Sequence, residues 1–330
     1  MPVFIHVWSM ITQLMTNILA IVGCTASGKS DLAENLALRL PNSTGNPATI
    51  MAVDSMQVYR GMDIGTAKPS LEMRARLEHV MIDVADPWES YSAAKFAQTA
   101  MPIIHQHQME NRPLILVVGT MLYFRALIEG LFEGPTADPS IRERLRRLAE
   151  EHGTEHLHEK LAQVDPAASA HIHPNDLRRT IRALEVFELT GIPISRLQTQ
   201  WQSQQRQFDC RIIGIAREKE DINHRINQRV RTMMENGLSQ EVERLWKDPR
   251  GLSAQAAQAV GYKELIEHLQ KKISLDQAIE QIKIQTRRLA KLQRTWLKRF
   301  DNIQWFKLEP EMRTSDIMDD ILEQSSGSIN

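Results

Sequence analysis

Cysteine, net charge and long apolar runs are all scarce in this chain. Cys24 and Cys210 are the only two cysteines in 330 residues, far apart and without ligand spacing. That argues against a disulfide framework or a cysteine zinc site and fits a reducing cytoplasm. The histidines show no metal-ligand pairing either, so His171 and His173 read as surface or core residues. Formal net charge is −1, which describes neither a general nucleic-acid binder nor an acidic tail, although a neutral total can hide local patches. Residues 1–17 lack the basic start of a secretory signal and the Arg-rich pattern of organelle import. Their apolar stretch is too interrupted to span a bilayer. They read as an N-terminal extension or a misassigned start, with Met10 or Met15 as alternatives. No internal repeat is found.

The hydrophobic share of 42% over this length can bury a full core, in two domains or one with a large insertion. Apolar β-like runs at 18–22, 48–53, 79–84, 114–118 and 211–216 are mostly separated by helical patterns. That order predicts right-handed βαβ units and a parallel sheet. A further short run falls at 303–306. Between the prolines 135 and 139 and the Gln-rich segment 198–207 the period is helical, so residues 136–205 read as a helical insertion. The core is then discontinuous, 18–135 and 206–310, with 311–330 as a C-terminal tail.

Gly23-Cys24-Thr25-Ala26-Ser27-Gly28-Lys29-Ser30 is a complete G-x-x-x-x-G-K-[ST] loop, placed after an apolar strand and before a leucine-patterned helix. Strand, glycine loop and helix in this order form a phosphate cradle, whose N–H groups turn inward at a helix N-terminus. Lys29 can reach an outer phosphate and the Ser30 hydroxyl can ligate Mg²⁺. The chain binds a polyphosphate; the loop alone does not say which. After the second strand, Asp54 falls at a strand end that borders the ligand crevice. It reads equally well as a metal ligand or general base and as a helix N-cap. A nucleotide hydrolase or kinase usually ends an apolar strand in Asp to hold its metal. Here the best buried strand, 114–118, ends in Gly119-Thr120, which lowers that reading without removing it.

Residues 281–300 hold seven Lys/Arg and no acid. Arg287, Lys291, Arg294 and Lys298 share one helix face, while Leu289, Leu292, Trp296 and Phe300 share another that suits a core. A one-signed face points to nucleic acid or phosphate. The insertion adds Arg142, Arg178, Arg179 and Arg182, so two basic surfaces are expected to hold a folded polyanion through its phosphates.

Three blocks then resemble the tRNA dimethylallyltransferases: the cradle, the segment Asp54-Ser-Met-Gln-Val-Tyr-Arg-Gly-Met-Asp-Ile-Gly-Thr-Ala-Lys68, and Gly119-Thr-Met-Leu-Tyr-Phe124. So do Ile172-His-Pro-Asn-Asp176, Arg182-Ala-Leu-Glu-Val186, Val260-Gly-Tyr262 and Gln293-x-x-Trp296. The resemblance implies a P-loop NTPase-like α/β fold, a parallel sheet flanked by helices with a helical insertion domain. It implies transfer of a dimethylallyl group from dimethylallyl diphosphate to N6 of the adenosine 3′ to the anticodon, with Mg²⁺ and without ATP, by a cytoplasmic monomer. Asp54 is then the general base and Thr120 its orienting partner. Gly23 to Ser30 hold the diphosphate, with Arg229 and Arg287 as further clamps, and the adenine must leave the RNA stack to reach them. The family's tRNA-contacting positions fall on Asp54, Ser55, Met56, Gln57, Thr120, Arg142, Arg178, Arg179, Thr180, Ile181, Arg182, Gly261, Tyr262, Lys263, Lys291, Gln293, Arg294, Trp296 and Lys298.

Three residues depart from the family pattern. Cys24 stands for a usual Pro, Val118 for the first glycine of Gly-Gly-Thr, and Leu292 for a basic residue. A β-branched Val118 is expected to crowd the crevice or shift Thr120. The alternatives are a P-loop nucleotide kinase and a catalytically weakened tRNA-binding relative.

Overall fold

The computed structural model describes residues 17–40, 45–131, 134–198 and 206–326, with only the backbone for 324–326. Apart from Asn17, the N-terminal extension lies outside the described residues. Among the described residues, six parallel strands form one sheet: β1 (Ile18–Gly23), β2 (Thr49–Val53), β3 (His79–Val80), β4 (Leu114–Val118), β5 (Arg211–Ala216) and β6 (Ile303–Lys307), in the order β3-β2-β4-β1-β5-β6. The fold is α/β. The central strands are apolar without alternation because helices cover both faces of a parallel sheet; all five residues of β2 are buried. Ala20 of β1 aligns with Leu116 on one side and Ile212 on the other. From β1 the chain steps outward past β4 to β2, and after β4 it crosses to β5 on the opposite side. The C-terminal ends of β2, β4 and β1 therefore border a topological switch point, where ligands bind.

The third strand is shorter than the run 79–84 predicts. Met81 and Asp83 adopt left-handed backbone (φ 64° and 57°), which ends the ladder after Val80. Asp83 turns out of the sheet to meet Lys68 and Arg74.

The C-terminal residues correct a second expectation. Residues 311–326 are no tail: a 3-10 turn, Thr314–Ile317, leads into a helix, Met318–Ser326. Ile317, Met318 and Ile321 share a buried cluster with Leu32 and Leu36 of the helix Lys29–Arg39. Burying an isoleucine is worth roughly 1.5–3 kcal/mol, so this packing is a substantial part of the core. Ser325 lies in that helix, and residues 327–330 fall outside the described set.

The chain divides into two compact units, one of residues 1–124 and 208–330, the other Arg125–Gln207. The second is helical. Asp138, Asp165 and Asp176 each cap a helix, two of them followed by proline at the first helical position. Leu145, Leu157, Leu161, Ile181 and Leu184 form its core. Among the described residues, no helix is long and apolar enough to cross a membrane.

Candidate active site

Three loops at neighbouring strand ends build the site. The first is the cradle after β1. Its chain turns through left-handed Ala26 (φ 63°) and Gly28 (φ 99°), and the first bond inside the following helix runs from Leu32 N–H to Gly28 O. The N–H groups of Lys29, Ser30 and Asp31 therefore have no acceptor within the helix, the arrangement that receives an anion. Cys24 and Ser27 are buried behind the loop, and the Cys24 carbonyl accepts from Lys29 Nζ at 3.3 Å.

The second loop follows β2. Asp54 Oδ1 accepts from the backbone N–H of Met56 (2.8 Å) and Gln57 (3.2 Å), which is the capping geometry. Oδ2 accepts no hydrogen bond among the described residues and lies against Gly119; a Cβ there would sit 2.0 Å from it. One carboxylate oxygen thus fixes the loop and the other faces the third loop. Thr120, at the end of β4, accepts from Ser55 N–H (2.9 Å) and donates to Ser55 Oγ (3.1 Å). It holds the residue after Asp54 and, among the described residues, makes no hydrogen bond to the carboxylate itself.

Asp54, Ser55, Met56, Gln57, Gly119, Thr120, Thr25, Lys29, Ser30 and Arg229 line one cavity of about 570 Å³, whose wall also includes Val117, Val230, Ile282 and Leu289. A second cavity, of about 1000 Å³, shares Lys29, Ser30 and Arg229 with it and adds Ala26 and Gly28. Burial and the Arg229 guanidinium pull the Lys29 ammonium down to about 8, against the opposing pull of Cys24 and Asp54. Burial also lowers Arg229 itself, although Asp54 and Asp31 oppose it. Two cations held close in a partly dry site stabilise an incoming polyanion strongly. Arg287 does not join them. It is absent from both linings, and its Nη2 donates to Asn227 Oδ1 at 2.5 Å.

Two buried side chains hold the second loop. Glu241 accepts from the N–H groups of Asp63 (2.9 Å), Ile64 (2.8 Å) and Gly65 (3.2 Å), and from Tyr262 Oη (2.5 Å). Lys68 Nζ donates to Tyr59 O (2.5 Å), Asp63 Oδ1 (2.8 Å) and Asp83 Oδ1 (2.6 Å). The one hint of Glu241 was an acid on the apolar stripe Leu238–Val242, where a charge needs partners.

Residues 57–300 match the family model described as IPP transferase. The tRNA dimethylallyltransferase of Geobacter sulfurreducens is 44% identical over 291 residues, 88% of this chain and 91% of its own. That of Caldanaerobacter subterraneus is 40% identical over 318 residues, 94% of this chain and 98% of its own. The crystal structure of the full-length tRNA isopentenylpyrophosphate transferase from Bacillus halodurans aligns with a TM-score of 0.66 and 38% identity, over 94% of this chain and 97% of that one. A eukaryotic dimethylallyltransferase acting on tRNA aligns with a TM-score of 0.69 and 27% identity, over 88% and 73%. The chain belongs to the IPP transferase family.

Val118, a departure from the family pattern, does not crowd the cavity. It is fully buried, pairs with Val53 in the sheet and is absent from the cavity lining; Gly119 occupies the place that tolerates no side chain. Several positions implied to touch tRNA are buried or engaged within the protein. In the α/β unit, Gly261 and Tyr262 are buried, Tyr262 held by Glu241, whereas Lys263 is exposed. In the helical unit, Thr180 and Ile181 are buried. Arg142 and Arg182 bind Glu185, which is itself fully buried. Arg178 and Arg179 are exposed, Arg179 beside Asp176.

The long helix Leu275–Leu297 also departs from expectation. Its buried residues are Ala278, Ile282, Ala290, Gln293 and Leu297, while Leu289 and Leu292 are 38% and 60% exposed. Small residues and a bonded glutamine face the core there, a stripe that a search for large apolar residues passes over. Lys291 and Lys298 are exposed. Burial raises the Cys24 thiol, against the opposing pull of Lys29 and Arg294, and Trp296 lies under the Arg299 guanidinium at 4.5 Å.

Proposed function

We propose that this IPP transferase moves the dimethylallyl group of dimethylallyl diphosphate onto N6 of the adenosine at position 37, 3′ to the anticodon of tRNA. One observation carries the reading: a phosphate cradle, a carboxylate with one unengaged oxygen and an apolar wall meet in a single cavity. A carrier of an apolar group needs all three. The new bond joins N6 to C1 of the allyl group; the C1–O bond breaks and its electron pair leaves on diphosphate. Asp54 Oδ2 takes the N6 proton. Lys29, Arg229 and the cradle amides hold the charge that develops on the leaving group.

Ser30, exposed at the mouth of both cavities, suits Mg²⁺. Such an ion takes few protein ligands and completes its shell with phosphate oxygens and water. When bound it would neutralise part of the diphosphate charge. Exposed Arg178, Arg179, Lys263, Lys291 and Lys298 are the side chains we assign to tRNA phosphates. The enzyme acts in the cytoplasm, as a monomer.

The test is incorporation of labelled dimethylallyl diphosphate into unmodified tRNA, with Mg²⁺ and no ATP, for the native chain and Asp54→Ala. The native chain should label tRNA. Asp54→Ala should slow transfer by about 10²–10⁴-fold and leave tRNA affinity in place. Near-native transfer by Asp54→Ala would remove the general base, and phosphate transfer from ATP in place of prenyl transfer would favour the kinase.

A further inference from the structure

Gln293 stands among the positions that the family pattern gives to tRNA, yet its side chain is turned inward. The residue is 6% exposed. Its Oε1 accepts from Thr25 N–H at 2.7 Å and its Nε2 donates to Gly119 O at 2.8 Å. The amide thereby bridges the cradle after β1 and the turn after β4. Each end is matched: one side needs an acceptor, the other a donor, and a primary amide offers both in one plane. Glutamate keeps the first bond and places a negative oxygen against the second carbonyl. Leucine keeps neither.

What lies beyond Gly119 gives the bridge a function. Gly119 abuts Asp54 Oδ2 so closely that any side chain would collide with it. The next residue, Thr120, holds Ser55 through both backbone and hydroxyl. The N–H groups of Gly119 and Thr120 both donate to Val53 O at 3.0 Å, at the end of the strand leading into Asp54. A displacement of the Gly119 peptide therefore moves the carboxylate.

We propose that Gln293 is a positioning residue that couples anion occupancy of the cradle to the placement of the Gly119–Thr120 turn and, through it, of Asp54. Its amide is committed to Thr25 and Gly119 rather than to RNA. This deepens the transferase reading and rests on it for the catalytic consequence, but the coupling can be measured without any transfer.

The experiment uses the full chain as native protein, Gln293→Glu and Gln293→Leu. Hydrogen exchange is followed over residues 117–124 with and without inorganic diphosphate. Native protein should gain protection there on adding diphosphate. Gln293→Leu should gain it in the cradle only, and Gln293→Glu, which keeps the Thr25 bond, should do the same if the leucine variant proves unstable. Equal protection of residues 117–124 in all three proteins would overturn the coupling. The second arm measures tRNA affinity and the single-turnover rate at saturating substrates. Loss of two hydrogen bonds in the site should slow that rate about 50-fold and leave the tRNA Kd within about twofold. A Kd that rises while the saturated rate holds would make Gln293 an RNA contact after all. Failure of the native chain to transfer a prenyl group would strike the transferase reading alone, because the exchange result stands without it.

Discussion

In the helical unit, Arg142 and Arg182 converge on one buried carboxylate. Arg142 holds Glu185 by two bonds of 2.8 and 2.9 Å, and Arg182 adds a third of 2.6 Å. In the α/β unit, Lys29 and Arg229 lie close enough to repel each other, and neither makes an ion pair among the described residues. Both pairs are two cations in a partly dry place. The first is neutralised from within and serves the fold; the second keeps a positive field that an anion must neutralise from outside. Basic residues in a sequence are therefore not equivalent evidence of a polyanion partner: whether an acid is folded against them decides.

The strongest challenge to this contrast is Lys29→Met. It should lower prenyl transfer by about 10³-fold, some 4 kcal/mol of leaving-group stabilisation; a loss under tenfold would mean that the field is not used. The same lysine sets a pH dependence. With its ammonium near 8, the free cradle loses charge above that pH, and calorimetry should show diphosphate affinity falling up to about tenfold per unit there. Stability runs the other way. The folded value lies below the unfolded 10.5, so the unfolded chain holds the extra proton between about 8 and 10.5. Stability of the free protein rises with pH across that window, and below it the burial penalty is present in full.

Glu185→Gln probes the other pair. Arg142 and Arg182 are each about a third exposed, so removing their shared carboxylate costs about 1–3 kcal/mol, less than breaking a fully buried pair. Hydrogen exchange over residues 125–207 should report that loss, while diphosphate affinity stays unchanged. Burial works to raise the Glu185 carboxyl, but the bonds from Arg142 and Arg182 outweigh it and hold the group below its ordinary 4.5. Their contribution is present above that value and is lost as pH falls through the lowered one. A stability loss under about 1 kcal/mol would show that these arginines are not committed to Glu185. The mildest change is Leu292→Lys, on the exposed face of the long helix. It should steepen the salt dependence of tRNA binding by about one unit of slope at most. No change would place that face off the RNA.

Much of this was open to sequence reading because the signals are local. A glycine loop between an apolar run and a leucine-patterned helix needs no distant partner to be recognised, and the strand runs were apolar because both faces of a parallel sheet are covered. Asp54 was placed at its strand end, but its division into one capping oxygen and one facing Gly119 was not. Nor was the helix 318–326, whose short apolar spacing gained meaning only against Leu32 and Leu36.

The amino-acid order by itself determined the glycine-rich loop, the α/β fold class and the positions of Lys29 and Asp54 after their strands. Neighbouring residues fix backbone turns, periodicity and strand ends, and those features are written along the chain. Tertiary structure alone decided which polar side chains are available. Glu185 closes off Arg142 and Arg182, Glu241 closes off Tyr262, and Gln293 turns inward to Thr25 and Gly119, 268 and 174 positions away. A hydrogen bond depends on two atoms meeting within about 3 Å with the right orientation, and no spacing within either segment records where the other segment will fall.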